Sequence, residues 1–134
     1  MTTVANMIAI DTSIVVRFLV RDDEAQWVRA CALIRDSAVY VPASVMLETA
    51  WVLRSIHGFR RLQLNEALEQ FVGLPNVNVE TPERFALTFD GVRKGLDFAD
   101  ALHLAASERC EGFLTFDRSF VRRSKGSTPQ VTEL

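Results

Sequence analysis

The chain has 134 residues, of which 49% are hydrophobic and 24% are charged. This size and balance are those of one compact globular domain, and they exclude a fibrous or largely disordered protein. With 15 Lys and Arg against 17 Asp and Glu, the net charge of -2 gives no general basic footprint for nucleic acid. No apolar run approaches the roughly 20 residues needed to span a bilayer. The N-terminus also lacks the pattern of a secretory signal, so we expect a cytoplasmic protein without membrane contact.

Short strands alternate with helices along the chain. Apolar patterns, caps and Gly or Pro stops predict strands at residues 7–11, 39–41, 77–79, 112–116 and 131–133. They predict helices at residues 12–20, 24–35, 44–56, 64–72, 82–94 and 98–111. This order indicates a three-layer α/β/α fold, with helices on both faces of a central, mainly parallel sheet of four to five strands. No linker interrupts residues 1–134, so we expect a single domain, with disorder limited to the first few residues and residues 122–129.

Four carboxylates stand where the predicted elements are apolar or come to an end. Asp11 closes the first strand and Asp117 the fourth, while Glu48 and Asp100 lie in the first turns of apolar helices. Ligands of parallel α/β sheets bind outside the carboxyl ends of the strands, so we expect these side chains to converge there. A cluster of like charges is costly without a cation, and carboxylate oxygens suit Mg²⁺ or Mn²⁺. The pattern therefore predicts a catalytic metal site.

Other polar residues near these four are candidates for supporting roles. Ser13 and Thr115 carry hydroxyls beside the strand ends and are candidate outer ligands. Asp97 suits the cap of the helix that contains Asp100, and is a weaker candidate outer ligand. The C-terminal tail is basic, and Arg118 and Arg122 are candidates for holding the phosphate groups of a ligand.

Simpler roles remain open for several of these positions. Asp11 could serve only as a helix cap, and Asp117 only as a turn residue. Glu48 could be a surface residue, although neighbours such as Trp51, which we expect in the core, argue against a freely solvated position. His103 could be a general base, but a histidine packed in the core is the more common case. The two lone cysteines are expected to be buried free thiols.

Together, several segments resemble a PIN domain, and within that group a VapC-type toxin of bacterial toxin–antitoxin pairs. The segments are IAIDTS at residues 8–13, VRFLVRDD at 16–23, VPASVMLETAWVL at 41–53, DFADALHLA at 97–105 and LTFD at 114–117. The resemblance implies a ribonuclease that uses Mg²⁺ or Mn²⁺ and an acidic quartet, which maps onto Asp11, Glu48, Asp100 and Asp117. It further implies an RNA substrate, a cognate VapB-like antitoxin whose tail fills the active-site groove, and a homodimer.

Two other functions compete with an endoribonuclease toxin of a type II system. A non-catalytic interaction module could keep the PIN fold alone, although no carboxylate of the quartet is missing. An aspartyl-phosphate phosphatase-like enzyme would use Asp11 as its nucleophile. That chemistry usually needs an acid two residues later, where Ser13 stands, and a lysine near the site. The only lysines, Lys94 and Lys125, do not end an apolar strand.

Apolar helix residues also predict self-association. Phe85, Leu87 and Phe89, with residues 102–104, give more apolar helix surface than one small sheet would obviously cover. Surplus apolar surface of this kind is commonly buried against a partner. We therefore expect a second copy of the chain to cover it.

Overall fold

The computed structural model describes residues 3–134, which form two compact units divided between Thr81 and Pro82. In the first unit, a short 3-10 turn (Val4–Asn6) precedes three strands and four helices. The strands are β1 (Ile8–Ala9), β2 (Val39–Val41) and β3 (Val77–Val79). The helices are α1 (Thr12–Leu19), α2 (Glu24–Asp36), α3 (Ala43–Ser55) and α4 (Arg61–Val72).

The sheet of the first unit is parallel, with β2 in the middle and β1 and β3 on either side. Val39 and Val41 of β2 are fully buried, as a central strand requires. The prediction of a buried first strand is wrong for β1 itself, because Ile8 is 51% exposed. Within this sheet β1 is an edge strand, and burial begins only at Ile10, whose N–H donates to the carbonyl of Tyr40 at 3.0 Å.

The helices of the first unit enclose a continuous apolar core. Its largest fully buried side chains come from α1, α3 and α4: Val15, Met46, Leu53, Leu64, Leu68 and Phe71. Helix α1 packs against α3, and the rings of Phe18 and Phe71 lie 5.7 Å apart. Because a core packed to crystal-like density holds its helices in fixed positions, the start of α1 and the outer face of α3 keep a defined spacing.

The second unit contains three helices and two parallel strands. They are α5 (Pro82–Arg93), α6 (Phe98–Ala106), β4 (Phe113–Thr115), α7 (Arg118–Arg123) and β5 (Val131–Glu133). Helices α5 and α6 pack closely on each other, with the rings of Phe85 and Phe98 stacked at 6.4 Å. Gly91 permits this approach, because a β-carbon there would lie 3.0 Å from the Cβ of Ala101.

The burial of α5 and α6 overturns the surface argument for self-association. Phe85 and Phe89 are 0% and 2% exposed, and Leu102 and Leu104 are buried as well. Of the apolar residues invoked, Leu87 alone is substantially exposed, at 43%. These residues form the interior of a helix pair and leave little surface for a second copy.

The structure confirms an α/β fold with parallel strands, and it corrects several local predictions. Helix α6 ends at Ala106 instead of residue 111, so Cys110 is exposed and not buried, while Cys31 is half-buried. Helix α7 occupies part of the stretch expected to be disordered. The five strands are hydrogen-bonded as three in the first unit and two in the second. Among residues 3–134, no helix combines the length and apolar character needed to cross a membrane.

Candidate functional site

Asp11 is the N-cap residue of α1 and is separated from β1 by Ile10. Its carboxylate caps the helix, since Oδ1 accepts a hydrogen bond from the backbone N–H of Thr12 at 2.8 Å. The residue as a whole is exposed, so the second carboxylate oxygen remains available to a ligand. The plain capping role and a metal-binding role are therefore compatible at this position.

Thr12 links Asp11 to Glu48. Its N–H donates to Asp11, and its hydroxyl donates a short hydrogen bond to Oε1 of Glu48, which lies on α3. Thr12 is 7% exposed, so the packing of α1 against α3 fixes its position. One buried threonine thus orients two carboxylates that are 37 residues apart in sequence.

The hydroxyl that contacts a carboxylate in this region belongs to Thr12, whereas a role of Ser13 as an outer ligand stays a prediction. Ser13 is exposed, and within residues 3–134 its side chain makes no hydrogen bond. The signal that could have identified Thr12 is helical spacing, because Thr12, Val15 and Val16 form the buried face of α1. The expectation that apolar neighbours keep Glu48 from a freely solvated position is wrong. Glu48 is exposed and its neighbour Trp51 is 62% exposed, so no apolar core shields this carboxylate.

In the second unit, Asp100 sits in the first turn of α6 and is partly buried. Burial raises the pKa of its carboxyl, and the negative charges of Asp97 and Asp117 raise that pKa further. His103 and Arg123 act in the opposite direction and lower the pKa. An aspartate held among like charges is a place where a cation would relieve repulsion.

Asp97 occupies the cap position of α6 but does not cap the helix with its side chain. Its carboxylate instead lies 3.6 Å from a guanidinium nitrogen of Arg123, in an exposed ion pair. The predicted capping hydrogen bond is therefore wrong, although the helix does begin immediately after Asp97. His103, expected to be packed in the core, is exposed on the same helix.

Asp117 is the N-cap residue of α7 and lies shortly after β4. Its Oδ1 accepts a hydrogen bond from the N–H of Phe120 at 3.1 Å, which caps the helix. Its own N–H donates to the hydroxyl oxygen of Thr115 at 3.0 Å. Thr115, predicted as an outer ligand, thus fixes the backbone of Asp117. Asp is a preferred N-cap residue, so Asp117 could have been recognised as the start signal of α7.

The two arginines predicted to contact RNA lie in different surroundings. Nε of Arg118 donates to Oε1 of Glu133 at 3.0 Å, so an acid already pairs with this guanidinium. Arg122 is exposed at the end of α7 and lines a shallow pocket. Of the two, Arg122 has the more available charge.

The predicted metal ligands are of a suitable chemical type. Asp11, Glu48, Asp100 and Asp117 offer hard carboxylate oxygens, and the pKa of Asp100 is raised first by burial and then by the charges of Asp97 and Asp117. Among residues 3–134, no three His, Cys, Asp or Glu side chains are grouped closely enough to hold a metal ion. A single site formed by all four therefore stays a prediction.

Comparison with known protein families identifies the chain. The sequence model of the PIN domain family matches residues 8–126, which are most of the sequence and include all four carboxylates. The chain belongs to the PIN domain family. No curated protein matches it. PIN domains are typically metal-dependent nucleases that act on RNA or DNA, so membership supports a nuclease, and hence a hydrolase, in general. The predicted PIN resemblance is thereby confirmed at the level of the family.

Proposed function

We propose that this PIN domain is an Mg²⁺- or Mn²⁺-dependent endoribonuclease, the toxin of a type II toxin–antitoxin pair. The observation that carries the proposal is the bridge made by Thr12, which holds Asp11 and Glu48 in one arrangement within the family match. A buried hydroxyl that orients an exposed carboxylate supports a role for that carboxylate in binding. A fold kept only as an interaction module would have no need for such an arrangement.

Asp11, Glu48, Asp100 and Asp117 are the proposed metal-binding residues. When bound, the metal supplies charge neutralisation at the phosphate and lowers the pKa of an attacking water. The chain's own residues orient the ligands. Thr12 directs Glu48 through its hydroxyl, and the caps at Asp11 and Asp117 leave one oxygen of each carboxylate free.

Other residues have proposed roles in positioning. Thr115 holds the backbone of Asp117 in place through its hydroxyl oxygen. Arg118 and Arg122 would hold RNA phosphates, with Arg118 exchanging Glu133 for the substrate. The negative charge of Asp97 would make Asp100 a more strongly cation-attracting site, because it repels the Asp100 carboxylate and raises its pKa.

The proposed biological role includes two protein partners in the cytoplasm. A VapB-like antitoxin would inhibit the enzyme by placing an Arg or Lys against the acidic residues, since carboxylates attract a cationic side chain as they attract a metal. A homodimer is proposed from the resemblance to VapC-type toxins. Exposed apolar side chains offer surface for such contacts, namely Trp51 on α3, Ile56 at its C-terminal end and Leu62 on α4.

Cleavage by the purified full-length chain tests the enzyme assignment. Single-stranded RNA and DNA of the same sequence should be incubated with Mg²⁺, Mn²⁺ or EDTA, beside wild type and Glu48→Gln. We expect RNA products with either metal, none with EDTA, and loss of cleavage in Glu48→Gln. An aspartyl-phosphate enzyme would instead hydrolyse a phosphomonoester with Asp11 as its nucleophile, and it would leave RNA uncut. Wild-type protein inert toward RNA with both metals would refute the ribonuclease proposal.

A further inference from the structure

The basic side chains of the C-terminal tail divide into two classes. The tail carries four cations, at Arg118, Arg122, Arg123 and Lys125. Two are neutralised by acids, since Arg118 pairs with Glu133 at 3.0 Å and Arg123 with Asp97 at 3.6 Å. Within residues 3–134, the side chains of Arg122 and Lys125 make neither a hydrogen bond nor an ion pair. The two cations without an acidic partner are therefore identified by the fold and not by the sequence.

Both of these cations line the same depression in the second unit. This pocket has a volume of about 420 Å³ and opens to solvent. Its polar lining includes Arg122, Lys125, Ser127 and Gln130, and its apolar wall includes Val121 and Val131. No acidic residue lines it. Two positive charges with no negative charge between them favour an anion.

The frame of the pocket is built by local hydrogen bonds. The hydroxyl of Ser124 donates to the carbonyl of Phe120 at 2.7 Å, and the N–H of Ser127 donates to the carbonyl of Ser124 at 3.0 Å. Gly126 turns the chain with a φ of 84°, a conformation that suits glycine. The frame is thus fixed while its cationic side chains are exposed, which is the arrangement of a preorganised binding site.

The end of α7 is the one feature that opposes an anion here. The last carbonyls of a helix carry partial negative charge and would repel a phosphate. In this case the carbonyl of Phe120 accepts both the N–H and the hydroxyl of Ser124, and α7 is only six residues long. Its residual charge is therefore small beside the two full positive charges of Arg122 and Lys125.

We propose that Arg122, Lys125 and Gln130 form a phosphate-binding pocket for a nucleic-acid backbone. Arg supplies a planar fork of donors for phosphate oxygens, Lys a point charge, and Gln an amide N–H. The inference rests on the proposed nuclease function, and it assigns to this pocket the phosphate of a nucleotide away from the bond that is cut. The net charge of the chain is -2, so the protein as a whole does not attract an anionic strand. A local basic pocket would supply the attraction that the total charge lacks.

Binding measured without metal tests the pocket independently of cleavage. The probe is a fluorescein-labelled 12-nucleotide strand, as RNA and as DNA, followed by fluorescence anisotropy in EDTA with full-length protein. The pocket variant is Arg122→Gln with Lys125→Gln. The control is Arg109→Gln with Lys94→Gln, which removes one Arg and one Lys from exposed positions of the same unit outside the pocket.

We expect the pocket variant to bind both strands about 10-fold more weakly, and the control to change by about 2-fold or less. The slope of log K against log salt should fall by about 0.7 for the pocket variant, because each phosphate neutralised on a single strand contributes about 0.7. Comparable binding of RNA and DNA by the wild type, lost in the pocket variant, supports a phosphate site. A preference for RNA that is lost in the same variant supports it too, with the 2′-hydroxyl as an added contact.

The pocket and the nuclease function fail in different ways. Equal weakening in the pocket variant and the control would show a general charge effect and would overturn the pocket, as would wild-type protein that binds neither strand. Cleavage by the pocket variant with an unchanged KM would also overturn it while leaving the nuclease intact. If the pocket variant alone lost binding and the wild type showed no cleavage with any metal, the nuclease function would be refuted and the phosphate-binding pocket would be supported. Thermal melting of both double variants confirms that each is folded.

Discussion

Replacing Asp100 by Asn should make the metal-free protein more stable and the enzyme less active, because the charge of Asp100 opposes folding but is needed to bind the metal. Burial and the charges of Asp97 and Asp117 raise the pKa of this carboxyl. The folded chain therefore holds the Asp100 proton more tightly than the unfolded chain does. Stability consequently falls as the pH rises from the ordinary aspartate range into the raised one, and at neutral pH the ionised group destabilises the metal-free protein.

The size of this effect follows from the exposure of Asp100. Since the residue is only partly buried, each neighbouring charge should contribute about 0.2–1 kcal/mol. Relief from Asp97 and Asp117 is partly offset by lost attraction to His103 and Arg123. We expect Asp100→Asn to raise the free energy of unfolding by about 0.5 kcal/mol at pH 7, or about 2 °C in Tm. The gain should disappear near pH 3, where Asp100 is protonated in both states.

Activity should change in the opposite direction. A neutral amide oxygen is a poorer ligand for a hard cation than a carboxylate. Changing an outer partner of a metal site typically costs 10- to 100-fold, so a direct ligand should cost at least about 100-fold in RNA cleavage. Mg²⁺ should also raise the Tm of wild type more than that of the variant, because only tight binding to the folded state stabilises it.

The assays are calorimetric melting from pH 3 to pH 8, with and without Mg²⁺, and RNA cleavage. Asp97→Asn is the matched control, because it also removes one charge near Asp100 but loses only an exposed ion pair with Arg123. It should retain activity within about 3-fold, since exposed pairs contribute little. Full activity in Asp100→Asn together with loss in Asp97→Asn would refute the reasoning and exchange the two roles.

Substitutions at three further positions test the roles of Thr12 and Asp11 in α1 and of Thr49 in α3. Thr12→Val keeps the shape of a buried side chain but removes the donor to Glu48, so cleavage should fall about 10-fold and Thr12→Ser should restore most of it. Asp11→Ala should lower the free energy of unfolding by about 1 kcal/mol through loss of the α1 cap, whereas Asp11→Asn should melt like wild type although both are inactive. Thr49→Val should raise stability by about 1 kcal/mol in chemical denaturation, because the Thr49 hydroxyl is fully buried and has no hydrogen-bond partner among the described residues. An unchanged cleavage rate in Thr12→Val would contradict the role of its hydrogen bond to Glu48. Equal melting of the two Asp11 variants would contradict the cap, and a less stable Thr49→Val would contradict the cost of the unpaired hydroxyl.

Local features of this protein could be predicted because neighbouring residues cause them. The alternation of short apolar runs with amphipathic segments predicted all five strands, including β5 at the C-terminus. Side-chain caps act within one turn of a helix, so Asp11 could be recognised at the start of α1. The positions of the four carboxylates at strand ends and in early helical turns are likewise properties of the sequence.

Exposure could not be predicted in the same way, because an apolar pattern does not say whether a partner covers it. Trp51 and Phe85 both lie on helices rich in apolar residues, yet Trp51 is 62% exposed and Phe85 is fully buried. Phe85 is buried because α5 packs against α6, and Gly91 allows the two helices to approach closely. The burial of a helical face is decided by its neighbours in space.

The sequence also could not predict which basic side chains of the C-terminal tail are paired with acids. By sequence alone, Arg118 and Arg122 are equivalent basic residues. The parallel pairing of β4 with β5 sets Thr115 opposite Glu133, and Glu133 then pairs with Arg118 and leaves Arg122 free. In short, the sequence by itself determined the elements, the caps and the carboxylates, since these depend on contacts between near neighbours. Only the tertiary structure decided that Thr12 orients Glu48 and which cations lack an acidic partner, because strand register and helix packing bring together residues that are distant in the chain.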